Sequence, residues 1–328
     1  MPVIALLFLS GLALAAEADP QTTPDPPTSP ADTDDQGMEV VLVLGEQPGP
    51  GLWKVTSGEH VMWILGEISP YPRKAKWTSK RFENLLSNSQ ELLVDFSGYW
   101  RANHTETRKL ASAELLPSGV KLKDVISPAL YKRVQATARK FDATDLDDLR
   151  PFAVTNRLVV SAMDRMDMKS FSARFATEQL ARKSKLKITR FAVPELPFED
   201  RLQNWQHDSN AVCLEQLVAT IGDGGAGVRR LANAWSQGEI ATLRELVPQY
   251  SFSRDGFRSG DCAAAMHGGE RQAAAYKRKR TQSWLLQAKR ALKNNARTMA
   301  VVPMSELFAS DGYLAALRAE GYEIEEPQ

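Results

Sequence analysis

From His60 to Ile68 the chain carries apolar residues at both parities of an extended strand. Val61, Trp63 and Leu65 fall on one face, and Met62, Ile64 and Gly66 on the other. Such a strand is stable only where both faces are covered, which places it in the middle of a sheet packed on each side. Leu52 to Thr56 is a second β-rich run, and Ser57-Gly58 between the two predicts a hairpin.

The pattern beyond the hairpin is that of an α/β protein. Phe82, Leu85 and Leu86 give Trp77 to Asn88 a helical period, and Glu91 to Phe96 is strand-like. From Thr105 to about Ala181 the chain reads as mostly helical, with Pro117, Pro128 and Pro151 near helix boundaries. Lys185 to Val193 alternates as a strand, and Pro194 to Pro197 turns into helices over Asp200 to Val247, broken around Gly222 to Gly227. A long helix is expected within Met266 to Asn294, followed by a strand over Arg297 to Pro303. Ser310 can cap a further helix whose Leu314 and Leu317 face the core and which Gly321 stops, before a last short strand at Tyr322 to Ile324. The expected fold is α/β: a mixed central β-sheet built from both ends of the chain, with a large mostly helical middle region.

With 328 residues and 43% hydrophobic content the chain can bury a full core. Its 41 basic and 40 acidic residues leave almost no net field, so charge offers no argument for nucleic acid or an anionic membrane. The apolar run Val3 to Ala16 is too short to span a bilayer, and Ala13-Leu-Ala15 or Ala16-Glu-Ala18 follows as a small-x-small cleavage pattern. Residues 1–18 therefore read as a removed export signal, giving a periplasmic or secreted protein with no transmembrane segment after removal. Residues 19–37, with Pro20, Pro24, Pro26, Pro27 and Pro30, read as a disordered linker, and 38–328 as the domain. In an exported chain the pair Cys213 and Cys262 suits one disulfide, worth about 3 to 4 kcal/mol by loop entropy. Two buried thiols that never meet are the alternative.

Several segments, taken in order, carry a resemblance. Gly51-Leu-Trp-Lys-Val55, Trp63-Ile-Leu-Gly66, Trp77-Thr-Ser79 and Arg150-Pro-Phe152 come early, and Trp235-Ser-Gln-Gly238 and Asp311-Gly-Tyr-Leu-Ala-Ala-Leu-Arg-Ala-Glu-Gly-Tyr322 late. In this order they resemble the TraB/GumN family, also called Tiki-like. The resemblance implies a metal-dependent hydrolase, with a histidine of a G-x-x-H motif near each end of the domain and a strand-end glutamate. Mapped onto this chain, Gly66 is kept as the turn glycine, Ser69 replaces the first histidine, Asp95 takes the approximate place of the glutamate, and Glu306 replaces the second histidine. Pro303 stands where the second glycine would be.

No other histidine offers a replacement by position. His60 lies at the opposite end of its strand from Ser69, and His104, His207 and His267 have no ligand-like spacing. Ser69 has no G-x-S-x-G elbow and no neighbouring base. The basic run Tyr276-Lys-Arg-Lys-Arg280 reads as the solvated face of a helix, and Trp53, Trp63 and Trp77 as core. Two functions remain. One is a non-catalytic or strongly diverged member that holds no cofactor and binds a peptide or protein in the inherited cleft. The other is a hydrolase in which Asp95, Glu306, Glu67 and Ser69 form an oxygen-rich site for Mn²⁺, Mg²⁺ or Ca²⁺.

Overall fold

The computed structural model describes residues 49–96, 103–170, 172–192, 197–206, 211–252 and 260–327. The segments read as an export signal and a linker, the first residues of the expected domain and His207 lie outside the described residues. The hairpin forms from β1 (Leu52–Ser57) and β2 (His60–Glu67), with Ser57 opposite His60. The turn is thus Gly58-Glu59, one residue later than expected, with Gly58 at a φ of 59°.

The main sheet has six strands in the order β6-β4-β7-β2-β1-β8. Here β4 is Glu91–Phe96, β6 is Lys187–Ala192, β7 is Arg297–Pro303 and β8 is Glu323–Glu325. Strands β2, β7, β4 and β6 run parallel, whereas β1 is antiparallel to both β2 and β8. The sheet is mixed, and its centre joins the two ends of the chain: Gly66 of β2 pairs with Val302 of β7. Met62, Ile64 and Leu65 are fully buried, as are Met299 to Val302 and Leu92 to Val94. Burial at both parities means that both sheet faces are covered, as the residue pattern of β2 required.

The cover is helical. Helix α12 (Glu270–Asn294) packs along β1, β2, β4, β6 and β7, while α1 (Lys80–Ser87), α6 (Ser172–Lys183) and α13 (Met304–Phe308) also pack on the sheet. A second core, with Leu122, Val134, Leu158, Leu214 and Leu217 fully buried in it, belongs to α3 (Leu122–Val125), α4 (Pro128–Lys140), α5 (Pro151–Arg165) and α8 (Ala211–Ile221). Pro128 and Pro151 open α4 and α5 at the position where proline costs no hydrogen bond. Cys213 on α8 is disulfide-bonded to Cys262 on α11 (Gly260–Met266), which ties this helical region to the segment leading into α12.

Helix α14 (Tyr313–Ala319) buries Leu314 and Leu317 and ends before Gly321, at a φ of 84°. Its N-cap is Gly312 rather than Ser310, and no side chain caps it. An added Cβ at Gly312 would lie 2.2 Å from the Glu306 carbonyl oxygen, so close passage of α13 over this turn excludes a capping side chain. A two-residue ladder, β3 (Tyr71–Pro72) with β5 (Met168–Lys169), was not legible, because two residues carry no periodicity.

Glu91, 1% exposed at the start of β4, joins β4 and β6 to the end of α12. It accepts hydrogen bonds from Arg290 at 2.6 Å, Asn295 at 2.8 Å and Thr189, and pairs with Lys187 at 3.2 Å. Burial pushes this carboxyl up, but Arg290, Thr189, Asn295 and Lys187 outweigh it and bring it to about 2 from an ordinary 4.5. A depressed carboxyl stabilises the fold fully above its unfolded pKa and loses that contribution as pH falls towards its folded one. Glu91→Gln is expected to cost about 3 kcal/mol near neutral pH. The gap from the native chain, read by urea unfolding, should shrink as pH drops from 4.5 to about 2; a gap independent of pH would exclude this role.

Candidate functional site

The parallel strands all end on one edge of the sheet, where α/β proteins place their chemistry because loops from several strands converge there. Asp95 is the next-to-last residue of β4, Glu67 the last of β2, Ser69 follows two residues on, and Glu306 lies on α13 directly after β7. All four are buried: Asp95 is 2% exposed, Glu67 4%, Glu306 6% and Ser69 8%. Carboxylates so deep need a countercharge, since an unpaired buried charge costs several kcal/mol.

The countercharge is Arg280, from the inward face of α12. Its guanidinium donates to Asp95 Oδ2 through Nε at 3.1 Å and also through Nη2, and to Glu306 Oε1 through Nη1 at 3.2 Å. Tyr313 of α14 donates its hydroxyl to the same Asp95 oxygen at 3.2 Å. The Tyr313 ring stacks on Trp284, with centroids 5.1 Å apart and planes at 15°, and Trp284 is one helical turn beyond Arg280. Burial pushes the Arg280 pKa down, but Asp95, Tyr313 and Glu306 more than reverse this and hold it well above its ordinary value. The centre of the site is therefore a closed ion triad, Asp95–Arg280–Glu306.

A second arginine braces the backbone of Asp95. Arg174 of α6 donates through Nη1 to the backbone carbonyl of Asp95 at 2.7 Å, and its amide donates to Glu67 Oε2 at 3.2 Å. Glu67 is thus tied to α6, whereas Asp95 and Glu306 meet on Arg280. The Ser69 hydroxyl is buried and bonds to none of these groups; among the described residues it has no hydrogen-bond partner. Its carbonyl accepts from the Phe252 amide at 2.7 Å and the Ser251 hydroxyl at 3.3 Å. Glu306 Oε2 is likewise buried without a partner among the described residues.

Gly66 is not at the turn. It lies inside β2, its carbonyl accepting the Trp235 indole N–H at 2.5 Å, and an added Cβ would come within 2.6 Å of Met304 Sδ and 2.8 Å of Leu307 Cδ1. The close approach of α13 to the strand is what requires glycine there.

The basic run departs most from expectation. Arg278 and Lys279 are exposed and Lys277 pairs with Asp311, but Arg280 is buried at the centre of the site. Position Arg280 continues the buried stripe Trp284, Ala288, Ala291 and Leu292 by one turn. That spacing was the available signal.

Of the histidines, His60 bonds Leu292 O at 2.6 Å at the far end of β2, and His104 opens α2 (His104–Ala113) on the surface. His267, in the turn between α11 and α12, places its ring 4.4 Å from that of Tyr276, one helical turn before Arg280. Burial first, and the Arg280 charge second, lower its pKa.

The donor set does not fit a resident divalent cation. Asp95 and Glu306 already share a guanidinium, whose charge would repel a second cation at that spot. Among the described residues no three His, Cys, Asp or Glu side chains gather as a metal-binding group.

The architecture and the strand-end site define an α/β protein of the kind the terminal segments resemble. The sequence profile of the TraB/PrgY/gumN family matches residues 51–326, and the chain belongs to that family. No curated protein and no solved structure matches it.

Asp95→Ala should destabilise the protein by about 3 to 5 kcal/mol, because it removes the carboxylate that accepts from Arg280 Nε and Nη2 and leaves those buried N–H groups of a charged side chain unmatched. Asp311→Ala, which removes the exposed pair with Lys277, should cost about 1 kcal/mol or less. Equal costs in urea unfolding would show that the triad is no more stabilising than a surface pair.

Proposed function

We propose that this chain is an exported, non-catalytic member of the TraB/PrgY/gumN family that binds a peptide or protein at the strand-end edge of its sheet. The observation that carries this reading is the triad. A hydrolase of the kind the resemblance implies needs imidazole and carboxylate ligands around a cation that activates water. In this chain the two carboxylates nearest that role hold Arg280. Arginine keeps its proton throughout the physiological range and cannot serve as a general base. Ser69, where a histidine is expected, has no base bonded to its hydroxyl among the described residues.

Export is supported by the apolar Val3 to Ala16 run and by the Cys213–Cys262 disulfide, a bond that persists in oxidising compartments. No helix among the described residues is long and apolar enough to cross a membrane. A peptide or protein ligand follows from the peptidase-like substrates that the resemblance implies, with the binding edge kept and the chemistry removed.

The test is a cleavage assay on a random peptide mixture, read by mass spectrometry, with Mn²⁺, Co²⁺, Mg²⁺ or Ca²⁺ supplied in turn. No cleavage above a protein-free control is expected with any cation. Cleavage that depends on a cation and disappears in Glu306→Gln would overturn the non-catalytic reading in favour of an oxygen-rich hydrolytic site at Asp95, Glu306 and Glu67.

A further inference from the structure

We infer that the outward face of α12 docks this protein on an anionic lipid surface. The inference stands apart from the non-catalytic reading and concerns the side of the helix that faces away from the sheet. Whole-chain charge conceals that side. Of the 40 acidic residues, eight, from Glu17 to Glu46, precede Lys54, the first basic residue, so residues 54–328 hold all 41 basic residues against 32 acidic ones.

Helical phase sorts the charges of α12. Opposite the buried stripe of Arg280, Trp284, Ala288 and Ala291 lie Arg271, Arg278, Lys279, Leu286, Lys289 and Lys293, all exposed. At a rise of 1.5 Å per residue this ridge is about 33 Å long. It carries no acidic residue, since the one acid of the helix is Glu270 in its first turn. Lys289 pairs with Glu320, whereas Arg271, Arg278, Lys279 and Lys293 have no carboxylate partner among the described residues. Leu286 is 67% exposed, more than any other large hydrophobic side chain described. It stands two helical turns from Lys279 on one side and from Lys293 on the other.

A line of cations around an exposed leucine is the pattern of a helix that lies on a bilayer. Leu285 and Leu286 floor a shallow hollow rimmed by Lys289, Arg290 and Lys293. An apolar floor beside cations suits an acyl chain under an anionic headgroup, with the lysine stems along the apolar surface and their charges at the phosphates. The ridge is also extended, so a charged plane meets all of its cations at once, whereas a compact ligand meets few. Helix α12 runs the length of the strands, from Arg280 at their ends to Asn295 beside Glu91 at their starts. A protein lying on this helix therefore presents the strand-end edge along the membrane plane rather than into it.

The experiment is co-sedimentation of the protein from Asp19 onward, the mature form expected after export, with vesicles of phosphatidylcholine alone or with phosphatidylglycerol added. The native protein should bind the anionic vesicles and not the neutral ones. Salt at about 1 M should release it, because the screening length falls from about 10 Å at 0.1 M to about 3 Å. Arg278→Gln, Lys279→Gln and Lys293→Gln together should weaken binding about 100-fold, at about 5-fold per cation. Leu286→Ser should weaken it about 10-fold. Lys123→Gln, Lys132→Gln and Arg139→Gln together remove the same charge from exposed positions on α3 and α4, and should leave binding close to native. All of these side chains are exposed, so each variant should keep the native circular dichroism spectrum. Absence of binding to anionic vesicles, equal binding to neutral ones, or equal loss in the two triple variants would each overturn the inference. Binding to polyglutamate in preference to vesicles would assign the ridge to an acidic protein and overturn it too. Cleavage of peptides by the native chain bears only on the non-catalytic reading, so the two can fail separately.

Discussion

Two carboxylates, Asp95 at the end of β4 and Glu306 on α13, enter the interior of this protein and are held there by one guanidinium from α12. In a low-dielectric setting each of the three ions would be prohibitively costly alone, so their positions are mutually enforced. Three elements distant in sequence are fixed by that requirement. Strand β4 brings Asp95, α12 brings Arg280 across the sheet, and the segment after β7 brings Glu306. Tyr313 adds α14 to the same network.

The sheet topology makes this convergence unavoidable. With β7 seated between β2 and β4, every residue just beyond a parallel strand end lands on one edge. The opposite edge is organised in the same manner by a different group: Glu91 gathers Arg290 and Asn295 from the end of α12 and Thr189 and Lys187 from β6. Helix α12 is therefore held to the sheet by buried carboxylates at Arg280 near its middle and at its C-terminal end, with Trp284 packed between them. The two clamps differ in one respect. Glu91 has several donors for one carboxylate, whereas Arg280 is a single cation shared by two.

Much of the fold was legible because it rests on patterns that a single sequence carries. The two apolar faces of His60 to Ile68 required a covered central strand, and Glu91–Phe96 and Arg297–Pro303 emerge with the expected bounds. Caps were less legible. Asn103 closes a capping box with Glu106, while Ser310 does not cap α14. Strand order is a property of tertiary contacts, and no local pattern states that β7 lies between β2 and β4.

The site was legible by half, for a physical reason. The family resemblance mapped Asp95 and Glu306 to the site, and both pair with Arg280 there. Arg280 was hidden because it stands in a run of like charges whose other members are solvated, and composition cannot separate one buried cation from its neighbours. Only the helical phase separates them: Arg278 and Lys279 point away from the stripe of Trp284 and Ala288, and Arg280 continues it. The identity of a buried charge therefore follows from phase and countercharge together. Two strand-end carboxylates without histidines already demanded a cation, and the helix crossing the sheet above them was the place to look for it.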